Sequence, residues 1–146
     1  MIEMVVGFLF DNSSENVLLI KKNRPAWQKG KLNGIGGKIE EDESPLNAMR
    51  REFKEETNQE IRHFKNYAII NGSGWRVYFF SAITDSLELK ENPTDEEQVI
   101  VKVKDLPRNT IDNLRWLIPM ATDKELLKPS IIYYKTVDGR QIWDDE

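Results

Sequence analysis

Two short apolar runs open the chain, Met4-Val5-Val6-Gly7-Phe8-Leu9-Phe10 and Val17-Leu18-Leu19-Ile20, separated by the turn-forming Asp11-Asn12-Ser13-Ser14. Apolar runs this short, bounded by turn formers, predict a hairpin of largely buried strands. A long loop follows, punctuated by Pro25, Gly30, Gly34, Gly36 and Gly37. Ser44-Pro45 then supplies an N-cap and a proline whose fixed φ suits the first helical position. Leu46, Met49 and Phe53 recur at helical spacing as far as Asn58, which predicts a helix. Beyond it, Tyr67–Ile70 and Arg76–Ile83 read as strands around the turn Asn71-Gly72-Ser73-Gly74, and Val99–Val103 alternates with lysines as a half-buried strand does. Asp112 is placed to cap a second helix through Leu114, Leu117 and Ile118, which Pro119 would kink or end. Ile131–Thr136 and Arg140–Trp143, around Val137-Asp138-Gly139, suggest a closing hairpin. This strand-rich order with two helices, free of repeats and low-complexity linkers, predicts a mixed α/β layer arrangement.

A length of 146 residues is enough to bury one sizeable core, so a single domain over 1–146 is expected. The hydrophobic fraction of 39% and charged fraction of 32% are those of a soluble globular chain. No apolar run approaches the roughly 20 residues that span a bilayer. Met1-Ile2-Glu3-Met4 has no basic segment of the signal-peptide kind, so a cytoplasmic location is expected. With no cysteine in the chain, disulfides, thiolate zinc sites and cysteine nucleophiles are excluded. His63 is the single histidine, and it lies in a polar stretch with no Gly-x-Ser-x-Gly turn anywhere, which reads as a surface residue rather than a triad member.

The net charge of −4 is unevenly spread. Lys21, Lys22, Arg24, Lys29, Lys31 and Lys38 form a basic stretch without an acid, and it abuts Glu40-Glu41-Asp42-Glu43 and a glutamate-rich helix. A basic loop against an acidic face suits a polyphosphate carrying a metal ion, while the acidic total argues against a large nucleic-acid footprint. On the helix, with 3.6 residues per turn, Met49 and Phe53 fall within about 60° of Leu46, and Glu52, Glu55 and Glu56 occupy an adjoining arc about 100° wide. Glutamates so spaced repel one another, and a bound divalent cation would remove that cost. Three carboxylates supply the hard oxygen donors Mg²⁺ prefers and leave positions for water and phosphate. Gly34-Ile35-Gly36-Gly37-Lys38, just ahead of the helix, lets backbone approach a ligand closely.

Gly37, Glu43 after five intervening residues, and Arg51-Glu52-Phe53-Lys54-Glu55-Glu56 after seven more resemble the signature of the Nudix hydrolases. Two positions depart from that signature: Asn58 stands where the family has glycine, and Gln59 where it has an apolar residue. Asparagine tolerates the left-handed conformation of a helix C-cap, so Asn58 can end the helix as glycine would. Gln59 leaves open how the following strand packs.

The resemblance implies a Nudix-like α/β/α sandwich with a mixed, curved sheet, and Mg²⁺ as cofactor, with Mn²⁺ able to substitute. It implies that Glu52, Glu55 and Glu56 ligate the metal with the backbone carbonyl of Gly36, and that Glu43 and Arg51 pair to hold loop and helix together. One more acid is expected from a later loop, Glu96 or Glu97. Glu55 or one of these two would be the general base. Lys22 and Lys38 are the basic residues expected at substrate phosphates.

The stretch from Asn33 to Ile39 further resembles MutT-type enzymes that remove oxidised purine nucleoside triphosphates. That likeness places Asn33 and Trp27 at the base and Asp112-Asn113, ahead of Trp116, at the purine edge, with Asn113 in place of an acid. The expected partner is a small-molecule nucleotide, on a monomer or homodimer. A nucleotide sugar, ADP-ribose, dinucleoside polyphosphate or capped RNA end as substrate, and a binding module that does not cut, are the alternatives.

Overall fold

The computed structural model describes residues 1–134, together with the backbone of residues 136–137 and 140–141. Strands β1 (Ile2–Asp11) and β2 (Asn16–Lys21) form the expected antiparallel hairpin, with Leu9 opposite Leu18. A single 3-10 turn, Ala26–Gln28, interrupts the long loop before β3 (Leu32–Asn33) and β4 (Ile35–Lys38). Helix α1 (Pro45–Thr57) follows, then β5 (Lys65–Gly72), β6 (Trp75–Thr84), β7 (Gln98–Lys102), α2 (Leu114–Ala121) and β8 (Ser130–Tyr133).

Strand β1 organises the mixed sheet, whose order is β3-β2-β1-β6-β5-β8. Along one edge β1 pairs in parallel with β6 from Ile2 opposite Trp75 to Asp11 opposite Thr84. Its other edge is shared. Met4 to Gly7 pair with β4, and Leu9 and Phe10 pair with β2. That division seats the glycine stretch of β4 directly against β1, the strand that joins β2 to β6. β7 extends the sheet on the far edge of β2.

Alternation along the strands builds the two outer layers. Val5, Leu9, Leu18 and Ile20 face Ala48, Met49 and Phe53 of α1. Phe8, Phe10, Val17 and Leu19 face Leu114, Leu117 and Ile118 of α2. Because both faces of β1 and β2 are covered, their sequences read as unbroken apolar runs. The result is the α/β/α sandwich with a mixed sheet anticipated from the sequence. Among the described residues no helix is long and apolar enough to cross a membrane.

The ends of α1 follow local chemistry. The Ser44 hydroxyl accepts from the Asn47 N–H at 3.1 Å, and Asn58 adopts φ 60°, ψ 25° as the left-handed cap. Gln59 is buried, and its amide donates to the Glu88 carbonyl at 3.1 Å, so the polar residue at this position is satisfied by a loop rather than by apolar packing.

Three expectations need correction. The residue capping α2 is Asn113, not Asp112, and it makes no side-chain cap bond. Of the two outcomes expected at Pro119, a kink or an end, the end does not occur: Pro119 lies inside α2 and the helix runs on to Ala121, with Leu114, Leu117 and Ile118 buried. The segment expected as one strand over Ile131–Thr136 splits. Its first part, β8, pairs in parallel with β5, where Ile131 lies opposite Ile69. Thr136–Val137 (β9) instead pairs with Arg140–Gln141 (β10), while the turn residues Asp138 and Gly139 and the end at Trp143 lie outside the described residues.

Phe53 is fully buried with its ring 5.2 Å from that of Phe64, so Phe53→Ala is expected to cost about 3–5 kcal/mol in urea unfolding. A loss below about 1 kcal/mol would show that α1 does not anchor this layer.

Candidate active site

The site begins where β4 passes under α1. A Cβ on Gly36 would lie 1.8 Å from the Val5 carbonyl oxygen, and one on Gly37 would lie 2.5 Å from a Glu52 carboxylate oxygen. Any side chain at Gly36 would push β4 off β1, and any at Gly37 would displace Glu52. The glycines are therefore steric requirements of strand pairing and of carboxylate placement at once.

Arg51 ties loop and helix together. Its Nε and Nη2 donate to both oxygens of Glu43 at 2.8 and 2.9 Å, a bidentate pair. Nη2 also donates to the Lys38 carbonyl at 3.0 Å, while Nη1 donates to Glu52 at 2.9 Å and to Glu55 at 3.3 Å. The Arg51 guanidinium holds the Glu43 carboxyl below its usual value, and these carboxylates keep Arg51 charged throughout the accessible pH range. Burial raises Glu52, against the pull of Arg51.

Glu56 points into the protein one helical step further on. Burial pushes its carboxyl up to about 8, Glu52 and Glu96 add to the rise, and Lys22 and a backbone hydrogen bond from Gly36 oppose it. One of its oxygens, Oε2, is buried with no hydrogen-bond partner. A buried carboxylate oxygen without a partner is a costly arrangement that a cation would relieve. Glu96, from the loop before β7, is buried as well. It accepts from Lys22 Nζ at 3.2 Å and from the Asn23 N–H, whereas Glu97 is exposed. The tertiary structure thus separates the two acids that the sequence left equivalent. Among the described residues no three acidic or histidine side chains converge as a preformed cage, because Glu52 and Glu55 turn toward Arg51. The donor chemistry nonetheless fits a hard divalent cation: carboxylates on one helix edge, and one buried oxygen lacking a partner.

A second feature lies on the α2 side of the sheet. Asn33, Gln28, Trp27 and Asn113 line a cavity of about 620 Å³ with Met4, Val6, Ile70, Trp75, Val77, Phe79, Ile111 and Tyr134. Asn33 donates to Gln28 Oε1 at 3.0 Å and accepts from the Gly34 N–H at 2.7 Å, while the buried Oδ1 of Asn113 has no partner. Apolar walls with a few convergent amides are the make-up of a small-molecule pocket. Trp27 is 64% exposed at the rim. Asp112 is exposed, and neither it nor Trp116 lines the cavity; Lys38 is exposed, with only its carbonyl engaged at Arg51. Gln28, Trp75 and Tyr134 were not anticipated. The one sequence signal for Trp75 is a large aromatic just beyond a glycine-rich turn.

A family model described as the NUDIX domain matches residues 1–121. Solved structures agree at the level of the fold. A MutT protein from Bacillus halodurans superposes with a TM-score of 0.72 at 20% identity, covering 97% of this chain and 95% of its own. A MutT Nudix hydrolase from Burkholderia pseudomallei gives 0.70 at 19% identity over 82% of this chain and 97% of its own. A Nudix hydrolase from Nitrosomonas europaea gives 0.68 at 20% identity, over 90% and 78% respectively. Among curated proteins none matches. The chain belongs to the Nudix hydrolases, enzymes that act on phosphorus-containing anhydrides and generally use divalent metal ions.

The raised Glu56 has a thermodynamic consequence. The folded state holds this proton more tightly than the unfolded chain, whose glutamates titrate near 4.5, so folded stability falls as pH rises from that value toward 8. In metal-free buffer the melting temperature is expected to fall between pH 6 and 8, and Glu56→Gln to flatten that slope. Added Mg²⁺ should raise the melting temperature most at pH 8. An unchanged slope in Glu56→Gln would remove Glu56 as the cause.

Proposed function

We propose that this chain is a Mg²⁺-dependent pyrophosphohydrolase, with Mn²⁺ able to replace Mg²⁺, that converts nucleoside triphosphates to nucleoside monophosphate and pyrophosphate, oxidised purine nucleotides being the preferred class. One observation carries this reading. The partnerless Glu56 oxygen beside Gly36 and the amide-bearing cavity at Asn33 are served by one short stretch of chain, so a single nucleotide can set its base at one and its phosphates at the other. The reading takes 1–146 as one domain, because β8, beyond the family match, pairs with β5.

In this reading Glu52, Glu55, Glu56, Glu96 and the carbonyl of Gly36 hold the cation. When bound, the cation supplies Lewis-acid polarisation of the phosphate oxygens and acidifies water. Arg51 aims Glu52 and Glu55 while Glu43 neutralises it. Lys22, held by Glu96, and Lys38 at the rim of the glycine stretch offset phosphate charge. Of the candidate bases we assign Glu55, which lies on the acidic helix edge and is more than half exposed, to take a proton from the attacking water. Water oxygen forms the new P–O bond in line at the α- or β-phosphorus as the α–β bridging P–O bond breaks, so that pyrophosphate or the nucleoside monophosphate leaves.

Arg51→Lys removes the fork geometry while keeping charge, and is expected to lower kcat/KM about 10–100-fold with the fold intact by circular dichroism. Activity within about twofold of wild type would mean that the Arg51 pairs do not position the acids. Pyrophosphate and phosphate release, with and without Mg²⁺, from normal and 8-oxo nucleoside triphosphates, ADP-ribose and diadenosine polyphosphates tests the substrate. Mg²⁺-dependent pyrophosphate release, fastest from the 8-oxo purines, is the expected outcome. Turnover confined to ADP-ribose or diadenosine polyphosphates would overturn the substrate class, and tight binding without any turnover would make the chain a nucleotide sensor.

A further inference from the structure

The family match ends at residue 121, but the cavity does not. Past α2 the chain returns as β8 and pairs in parallel with β5 as far as Tyr133 opposite Asn71. The Tyr134 N–H then donates to the Asn71 carbonyl at 2.8 Å, which fixes the backbone of Tyr134 at the cavity. Its ring meets Trp75 edge to face, with centroids 5.5 Å apart and planes at 89°. Trp75 is held from a second direction. The β5–β6 hairpin sets it opposite Gly72, and a Cβ on Gly72 would fall 2.0 Å from the indole, so the ring lies directly over the bare backbone there. Trp27, by contrast, stands largely exposed on a single 3-10 turn. The cavity therefore has one adaptable aromatic at its rim and one fixed aromatic wall.

The amides of Asn33, Gln28 and Asn113 can match hydrogen-bonding edges, but they do not measure the size of a ring system. A fixed aromatic wall does, because the face it covers grows with the face presented to it. We infer that Trp75 and Tyr134 are specificity-determining residues that favour a purine over a pyrimidine by the ring area they cover, an inference that rests on the nucleotide reading of the cavity. The segment beyond residue 121 is then part of the substrate site, since it delivers Tyr134 and braces Trp75.

The test is equilibrium binding of GMP and CMP by calorimetry, which needs no turnover, on wild type and on Trp75→Ala, Trp75→Phe and Tyr134→Ala, with the melting temperature of each. Wild type should prefer GMP. Trp75→Ala and Tyr134→Ala should weaken GMP about five- to a hundredfold and CMP much less, so that the preference shrinks, while Trp75→Phe retains part of it. With a purine triphosphate as substrate, KM should rise while kcat changes by less than about twofold. Folded alanine variants that keep the wild-type ratio of GMP to CMP affinity would overturn the proposal. Should Trp75→Ala fail to fold, Tyr134→Ala and Trp75→Phe decide it. A wall-dependent GMP preference without hydrolysis of any triphosphate would sink the proposed reaction and leave the wall standing.

Discussion

The bidentate contact between Arg51 and Glu43 is the interaction on which the candidate site depends. It joins the loop after β4 to α1 and is reinforced by the bond from Arg51 to the Lys38 carbonyl. Without it, Arg51 would not be fixed over Glu52 and Glu55, and the repulsion between these glutamates at helical spacing would go uncompensated. One guanidinium therefore neutralises the acids it positions, and any cation entering the site would compete with it for Glu52 and Glu55. Glu56, beyond the reach of Arg51, keeps a buried oxygen without a partner. Its environment is the more demanding one, and it is where an arriving cation would gain most.

The sheet places these groups by sharing the edge of β1. Its first half is given to β4 and its second to β2, so the glycine stretch lies directly against β1, the strand that joins β2 to β6. The same division lets β3, at the end of the long loop, present Asn33 on the α2 side while β4 meets α1. An amide-bearing cavity and an acidic edge thus arise on two sides of one stretch of chain. At 19–20% identity the solved structures share this fold.

Two polar residues illustrate how local identity and tertiary surroundings divide the work. Asn58 takes the left-handed cap because its short amide tolerates that conformation, whatever surrounds it. Gln59 is buried only because the carbonyl of Glu88, from a distant loop, accepts its amide hydrogen. Asn113 shows both sides at once. Its residue type suits a helix start, yet its unpaired oxygen faces a cavity that α2 alone could not make.

Most of the fold was legible in the sequence. The apolar runs of β1 and β2, the Ser44-Pro45 start and Asn58 end of α1, and the β5–β6 hairpin all rest on local periodicity and turn chemistry, which the chain carries with it. The acidic edge was legible too, because Glu52, Glu55 and Glu56 lie on one helix at fixed spacing. What only the tertiary structure decided involves distant segments: the burial of Glu96 but not Glu97, the partnerless burial of the Glu56 oxygen, and the arrival of Trp75 and Tyr134 beside Asn33 and Asn113 at one cavity. The parallel return of β8 belongs with them, since a short strand says nothing about the direction of its partner. Periodicity records which face of an element is buried, but not which distant residue will lie against it, and desolvation, pairing and cavity shape all depend on that neighbour.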